Sequence, residues 1–336
     1  MRPGGIEQGA YAMDPLRRPP PTGANGQSLD GFLSASGVEV LDVRRGAAAG
    51  TRRLLVGDPI AASATYAIAV ADRPSSAPAV DAEARLLGDL QVLLPAELGS
   101  TVPGVVGPVD VRGRVGLVVT AVPGLLPEQH RLPSQRRQPA HGRSSLHAVR
   151  EWLGQLWHTT GGVASSIDLG RDAADQLFAR YAGSAQLAPS LGAVHRARSR
   201  IGRFETARTV THGCLCPDHV HVDDAAVIGV DDWALGSVSA EPLRDLGGFA
   251  VRTAGERLPE VVVGRTAYAH VLRDFVISGL AEIGLPKRSW RDVLVLTQLE
   301  RASAELDAGN VGDIDLLART VRALPRERGY EETRTT

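Results

Sequence analysis

Side chains that could react or bind a metal are concentrated in one short segment of the chain. Two cysteines and three histidines lie within ten residues, with aspartates among and after them: His212, Cys214, Cys216, Asp218, His219, His221 and Asp232. A thiol, an imidazole and a carboxylate can act together as nucleophile, base and orienting group. A Cys-x-Cys beside a His-x-His also offers four donors suited to Zn²⁺. The residue types alone leave both kinds of site open.

The spacing of these donors argues against the zinc site. Zinc sites usually separate their two ligand pairs by a longer stretch of chain, whereas Cys214-x-Cys216 and His219-x-His221 almost adjoin. Alternate residues share one face of a strand, so the histidines would point together while the cysteines lie in a loop. The sequence therefore predicts no metal ligands, and His221 is expected to be a packed strand histidine.

The composition disfavours several classes of function. The chain has 336 residues, with 37 Lys and Arg against 38 Asp and Glu, so its net charge favours neither a nucleic acid nor a membrane surface as partner. The sequence contains no apolar run of membrane-spanning length and no secretion signal at its N-terminus. Two cysteines one residue apart form no disulfide framework. We therefore expect a cytoplasmic protein with free thiols.

The elements that must position the reactive segment fall into a strand-rich half and a helical half. The first half is predicted to contain four strands, at 38–43, 53–56, 65–70 and 115–122, and one helix at 81–94. The second half is predicted to contain a β-rich insert at 209–233, with helices on both sides of it. These helices are predicted at 146–157, 172–183, 190–207, 242–254, 264–283, 290–308 and 313–324. This order predicts an α+β fold with two lobes.

Five segments follow from this organisation. Residues 1–30 are rich in Pro, Gly and Gln and are predicted to be a disordered tail. An N-lobe at 31–123 is followed by a basic loop at 124–145, a helical C-lobe at 146–328 and a short tail at 329–336. The basic loop is interpreted as a solvated connection, with a docking surface for an acidic partner as the alternative.

Residues 211–233 resemble the signature of the aminoglycoside/choline phosphotransferase family, whose fold is protein-kinase-like. That signature reads HGDxxxxN, a strand, a turn, a second strand and an Asp-Trp pair. The chain matches it without gaps from His212-Gly213 to Asp232-Trp233, and 242–246 is similar to the Pro-x-x-Asp-Leu that follows. In the N-lobe, Glu83 falls at the family's helix glutamate. The resemblance implies a small β-rich N-lobe and a large, mostly helical C-lobe.

The residues that transfer phosphoryl groups in that family are replaced in this chain. The resemblance implies an aspartate base, an Mg²⁺-binding asparagine and a lysine that clamps phosphates. Here Cys214, His219 and Ala69 stand in those places, and only Asp232 and Glu83 remain. The chain's single lysine lies late in the helical half, and its two asparagines lie near its ends. No small shift of the alignment restores the missing set, so we expect weak or absent binding of ATP and Mg²⁺.

The degenerate nucleotide site comprises Gly46, Gly50, Ala69 and Glu83. The glycines bracket a turn that could cover phosphates or form a plain hairpin, and Ala69 behind it favours the hairpin. Glu83 is expected to be solvated or to pair with an arginine. Three arginines could supply the missing cation: Arg52, Arg53 and Arg73.

Three functions remain open on this reading. The preferred one is a non-phosphorylating pseudokinase that binds a protein or peptide partner or regulates an active enzyme, in a bacterial pathway such as one that modifies peptides. The second is a repurposed enzyme in which Cys214, His219 and Asp232 act as nucleophile, base and orienting group. The third is an active phosphotransferase for small molecules or for Ser/Thr of peptides, with a non-standard site.

Overall fold

The computed structural model describes residues 27–60, 63–124, 143–181, 188–223, 225–307 and 312–325. Nearly all of the predicted disordered tail, the basic loop and the C-terminal tail lie outside these ranges. One helix starts at Leu29, within the predicted tail, and another starts at Arg143, within the predicted basic loop.

The N-terminal lobe begins with a short helix, α1 (Leu29–Ser36), which the periodicity did not predict. The Ser28 hydroxyl caps its start by accepting a hydrogen bond from the Gly31 amide, and Gly37 ends it in the left-handed conformation. Phe32 is fully buried and packs edge-on against Tyr66, with ring centroids 5.3 Å apart. This helix thereby covers one face of the sheet described next.

Five antiparallel strands form the sheet of this lobe, in the order β1-β2-β3-β5-β4. They are β1 (Glu39–Arg45), β2 (Thr51–Asp58), β3 (Ser63–Ala71), β4 (Val105–Asp110) and β5 (Val115–Thr120). Helix α2 (Ala77–Leu93) packs against β3 and β5 and buries Leu87 and Leu90, and the single turn α3 (Ala96–Gly99) follows it. Strand β4 was not predicted; it lies at the edge of the sheet, where its Pro108 is tolerated.

The C-terminal lobe is mainly helical. Its helices are α4 (Arg143–Thr160), α5 (Arg171–Tyr181), α6 (Ala188–Ile201), α7 (Leu243–Ala254), α8 (Leu258–Val263), α9 (Ala267–Glu282), α10 (Trp290–Asp307) and α11 (Gly312–Ala323). Helix α10 contacts α5, α6, α7 and α11 and buries Leu294, Leu296 and Leu299. The predicted helix at 190–207 ends at Ile201, because Glu205–Ala207 forms a strand instead.

Three two-stranded ladders complete this lobe and build the reactive segment. Strands β6 (Ala164–Ser166) and β7 (Glu205–Ala207) pair, as do β8 (Thr209–Thr211) and β11 (Ser237–Ala240). Strands β9 (Val220–Asp223) and β10 (Ala226–Val230) form the hairpin that follows the loop at 212–219. The predicted β-rich insert is therefore confirmed.

Contacts around Thr101 join the two lobes. The Trp152 indole donates a hydrogen bond to the Thr101 hydroxyl at 3.0 Å, and the Val230 amide donates to the Thr101 carbonyl at 2.7 Å. The chain segment after α3 is thereby bonded to both α4 and β10. The predicted two-lobed α+β architecture is confirmed. Within the described ranges, no helix combines the length and apolar character needed to span a bilayer.

Candidate functional site

The loop at 212–219 is held in place by a buried carboxylate. Asp245, on the first turn of α7, accepts hydrogen bonds from the amides of His212 at 2.7 Å and of Gly213 at 2.9 Å. Gly213 has φ +78°, and a Cβ at this position would lie 2.0 Å from the Leu235 carbonyl oxygen, so only glycine fits. Burial raises the pKa of Asp245 to about 7, although the two amides and Arg244 act in the opposite direction.

The His212 ring is fully buried beside Trp233 and is fixed by one strong hydrogen bond. Its Nε2 lies 2.7 Å from the Asp231 carbonyl oxygen. Because a carbonyl only accepts, Nε2 carries the hydrogen and Nδ1 keeps the lone pair. Burial, with the nearby His219, lowers the pKa of His212 to about 4, so the ring is neutral near pH 7. His212 thus orders the loop, the structural role that the sequence predicts.

Cys214 and His219 face each other across the loop. The Cys214 Sγ lies 3.9 Å from the His219 Nδ1, and both side chains are half-buried. Burial on its own would lower the pKa of His219, but the thiols of Cys214 and Cys216 and the charge of Asp231 raise it well above its usual value. The structure therefore brings together two of the three predicted catalytic residues.

His221 lies away from this pair and faces Asp231. Its Nε2 is 3.9 Å from the Asp231 Oδ2, and the ring is half-buried on β9. Burial would raise the pKa of Asp231, but His221, His219 and Arg53 lower it overall. His219 lies in the loop before β9 and groups with His212 and Cys214, whereas His221 lies on β9, so the expectation that the two histidines share one strand face is not met.

Asp232 contacts the N-terminal lobe rather than the His219 ring. Its Oδ2 accepts a hydrogen bond from the Ala47 amide at 2.9 Å, and its Oδ1 lies 3.4 Å from Nη2 of Arg53. Its backbone has φ +58°, in the left-handed region that aspartate tolerates better than most residues. Asp232 is therefore placed to join the two lobes, and the predicted thiol–imidazole–carboxylate triad lacks its third contact.

Arg53 occupies the space between the lobes that faces Ala69. The two residues are direct partners in the β2–β3 ladder, so their side chains emerge on the same face of the sheet. Nη2 of Arg53 lies 2.7 Å from the Glu83 Oε1. Burial alone would lower the pKa of Arg53, but Glu83, Asp232 and Asp231 more than offset it and the pKa is raised.

The Glu83 side chain is only 1% exposed, so the prediction that it is solvated is wrong. The alternative, that it pairs with an arginine, is confirmed. The sequence provides no reason to choose Arg53 among the three candidate arginines. In the structure, the small side chain of Ala69 lies directly opposite Arg53 on the neighbouring strand.

The glycine-bracketed turn joins the paired strands β1 and β2, and the preference for a plain hairpin over a phosphate-covering loop stays a prediction. The Gly46 amide bonds to the Thr51 carbonyl at 3.0 Å, and Gly50 has φ +74°. Between them, Ala48 is buried and the Ala47 amide reaches Asp232. Ala47 was not predicted as a site residue, because a backbone amide leaves no signal in the sequence. The nucleotide-binding assignment of Gly46, Gly50, Ala69 and Glu83 stays a prediction.

Comparison with known proteins gives a clear result for the fold. A thermostable mutant of aminoglycoside phosphotransferase APH(4)-Ia, in ternary complex with AMP-PNP and hygromycin B, superposes with a TM-score of 0.57. It covers 87% of this chain and 96% of its own, at 13% identity. This chain has the aminoglycoside phosphotransferase fold.

A second enzyme of this fold superposes less closely. The streptomycin–ATP ternary complex of APH(2")-IIa has a TM-score of 0.50 and 12% identity, covering 84% of this chain and 93% of its own. At these identities the similarity concerns the fold. No protein-family model matches the sequence, and no curated protein is similar to it.

Proposed function

We propose that this protein uses the phosphotransferase fold without transferring phosphoryl groups, and that it binds a protein or peptide partner. The engagement of Asp232 carries the proposal. Mg²⁺ requires free oxygen ligands in near-octahedral geometry. Asp232 is the one metal-ligand position that the resemblance finds unchanged, and its oxygens already contact Ala47 and Arg53. A buried guanidinium 3.4 Å away also opposes a divalent cation at this carboxylate.

The two replaced positions support the same proposal. Cys214 supplies a soft sulfur where phosphoryl transfer needs a carboxylate base. His219 supplies an imidazole nitrogen where the resemblance places a metal-binding amide oxygen, and Mg²⁺ prefers oxygen ligands. Arg53 and His219 therefore both disfavour Mg²⁺.

A binding role accounts for what is retained. The lobes remain joined through Asp232, Ala47 and Arg53, and the loop remains anchored by Asp245. These contacts preserve the shape of the cleft while the reactive groups differ. Some proteins related to the family that this chain resembles are similar to kinases that act on precursor peptides, which suggests a peptide, or an enzyme that modifies peptides, as the partner.

Titration with Mg·ATP tests the proposal. Ligand at 100 times its Kd stabilises a fold by about 2.7 kcal/mol, so a functional site would shift the thermal unfolding midpoint clearly. We expect no shift for the wild type and no phosphate transfer to hydroxyl compounds or peptides. The variant Cys214→Asp/His219→Asn restores the two replaced side chains of the loop, while Ala69 stays unchanged, and it is the matched comparison. Stabilisation of the wild type together with transfer would establish the active, non-standard phosphotransferase instead.

Co-expression with the products of adjacent genes tests the partner. We expect a complex that survives size-exclusion chromatography. Reversing a surface charge on this chain is expected to abolish that complex. If every neighbouring product elutes separately, the binding role is refuted.

The contact between Cys214 and His219 favours a second candidate, a thiol-dependent enzyme. An imidazolium beside a thiol stabilises the thiolate, which is the nucleophilic form. Alkylation of Cys214 by iodoacetamide, followed across pH by mass spectrometry, measures this directly, and the buried Cys216 serves as the internal comparison. A half-maximal rate near the ordinary thiol pKa of about 8.5 would remove this candidate.

A further inference from the structure

Three ligand atoms of different side chains converge in the loop between β8 and β9. They are one ring nitrogen of His212, the sulfur of Cys214 and one ring nitrogen of His219, and all lie within 4.8 Å of one another. The sequence predicts no metal ligands, because the Cys-x-Cys and His-x-His pairs almost adjoin. In the structure the histidine grouped with Cys214 and His219 is His212, seven residues before His219, and not His221.

The orientation of His212 suits a metal ligand. Metal-binding histidines almost always donate their second ring N–H to a carbonyl or carboxylate, which fixes the tautomer and the ring plane. His212 does this through Nε2 and the Asp231 carbonyl at 2.7 Å, which leaves the lone pair on Nδ1. The only group directed at Nδ1 in the described part of the chain is the Cys214 amide, at a long 3.4 Å. A metal would displace this weak contact.

The distances are close to those of a tetrahedral zinc site. With Zn–N near 2.0–2.1 Å and Zn–S near 2.3 Å, tetrahedral ligands lie about 3.3–3.5 Å apart. The Cys214 Sγ and the His219 Nδ1 are 3.9 Å apart. The three ligand atoms lie within 4.8 Å of one another, so closing the set shortens these separations by up to about 1.5 Å. Cys214 and His219 are half-buried side chains of the loop.

The chemistry of the three donors selects the metal. Cys214 and His219 stand at the positions where the resemblance places an aspartate base and an Mg²⁺-binding asparagine. Sulfur and imidazole nitrogen favour Zn²⁺ over Mg²⁺, which prefers oxygen. The loop is also ordered in advance, because Asp245 fixes the backbone of His212 and Gly213.

We propose that His212, Cys214 and His219 form a three-ligand Zn²⁺ site, with water in the fourth position. Three protein ligands and one exchangeable water characterise zinc centres that act on a substrate rather than only stabilising a fold. This assignment does not depend on whether the protein transfers phosphate, since it concerns different donor atoms and a different metal.

Cobalt substitution tests the site by spectroscopy. Protein treated with chelator and then titrated with Co²⁺ is expected to bind one ion per chain, with a thiolate-to-cobalt charge-transfer band that Zn²⁺ abolishes. Cys214→Ser should remove this band and weaken Zn²⁺ at least about 100-fold, since even residues that only orient a ligand are worth about 10–100-fold. His219→Ala should weaken Zn²⁺ comparably.

His221→Ala serves as the matched control. It removes an imidazole two residues from His219 and should leave the band and the affinity near the wild-type values. Equal effects of His219→Ala and His221→Ala would overturn the assignment, as would wild-type protein that binds no cobalt. Zn²⁺ should also protect Cys214 of the wild type from iodoacetamide, a readout that needs no variant. Unchanged alkylation at saturating Zn²⁺ would count against the site.

Discussion

Replacing Arg53 with methionine tests whether the buried ion pairs hold the two lobes together. The Arg53 side chain is 4% exposed, and it contacts Glu83 and Asp232, which are 1% and 8% exposed. Methionine fills similar volume but leaves two carboxylates without their cation in a region that excludes water. Removing one partner of a buried ion pair costs about 3–5 kcal/mol, because the remaining charge is left uncompensated. We expect Arg53→Met to lower the free energy of unfolding by this amount.

Urea denaturation followed by circular dichroism measures the change, and Arg52→Met is the matched control. Arg52 neighbours Arg53 on the same strand, but its side chain is 54% exposed and its ion pair with Asp72 spans 2.7 Å at the surface. Such surface pairs contribute about 0–1 kcal/mol. If the two variants differ by less than about 1 kcal/mol, the buried network does not stabilise the lobes as argued.

A second pair of variants tests whether the buried positive charge can be supplied from position 69 on β3 instead of from position 53 on β2. Arg53 and Ala69 are direct partners in the β2–β3 ladder, so a lysine at 69 would project from the same face. Ala69→Lys alone should destabilise the protein, because it adds a second cation beside a buried one. Combined with Arg53→Ala, it should recover part of the lost stability. A double variant less stable than either single variant would contradict this.

Two further predictions concern the contacts around the site. Since burial raises the pKa of Asp245 from 3.8 to about 7, the folded state keeps a proton that the unfolded chain has lost, and stability falls as the pH rises through this window. The free energy of unfolding of the wild type should drop by about 3 kcal/mol between about pH 5 and about pH 8, and Asp245→Asn should reduce this dependence on pH. Urea titrations measure both proteins, and the same pH dependence in both would contradict the raised pKa of Asp245. Thr101→Val removes the acceptor of the Trp152 indole and should lower the free energy of unfolding by about 1–3 kcal/mol in the same urea titration. An unchanged free energy of unfolding would mean that the buried indole finds another acceptor.

Much of the fold could be predicted because periodicity reports burial. Helices α7, α9, α10 and α11 lie within about three residues of their predicted bounds, since their apolar residues recur at helical spacing. Helix α1 was missed because it is a short helix whose start falls in a segment with the composition of a tail. Strand β4 was missed because it contains Gly107 and Pro108, which disfavour strands everywhere except at an edge.

The candidate site was predictable only where one side chain meets another nearby in the chain. Cys214 and His219 are five residues apart, and their contact follows from the loop that the motif indicates. Asp232 behaves differently, because its partners are an amide 185 residues away and a guanidinium on another strand. Such contacts depend on how the lobes pack, and periodicity carries no information about that.

The chain has a single lysine, Lys287, yet a buried cation lies beside Glu83. One lysine in the chain excludes a lysine at 69, and from this the sequence predicts the loss of the phosphate clamp. The cation itself has moved rather than disappeared, because Arg53 reaches Glu83 from the strand beside Ala69. Arg53, buried and bonded to Glu83 and Asp232, has little freedom to bind a phosphate. These contacts give Glu83 and Asp232 a role in stability, so their presence alone is no argument for catalysis.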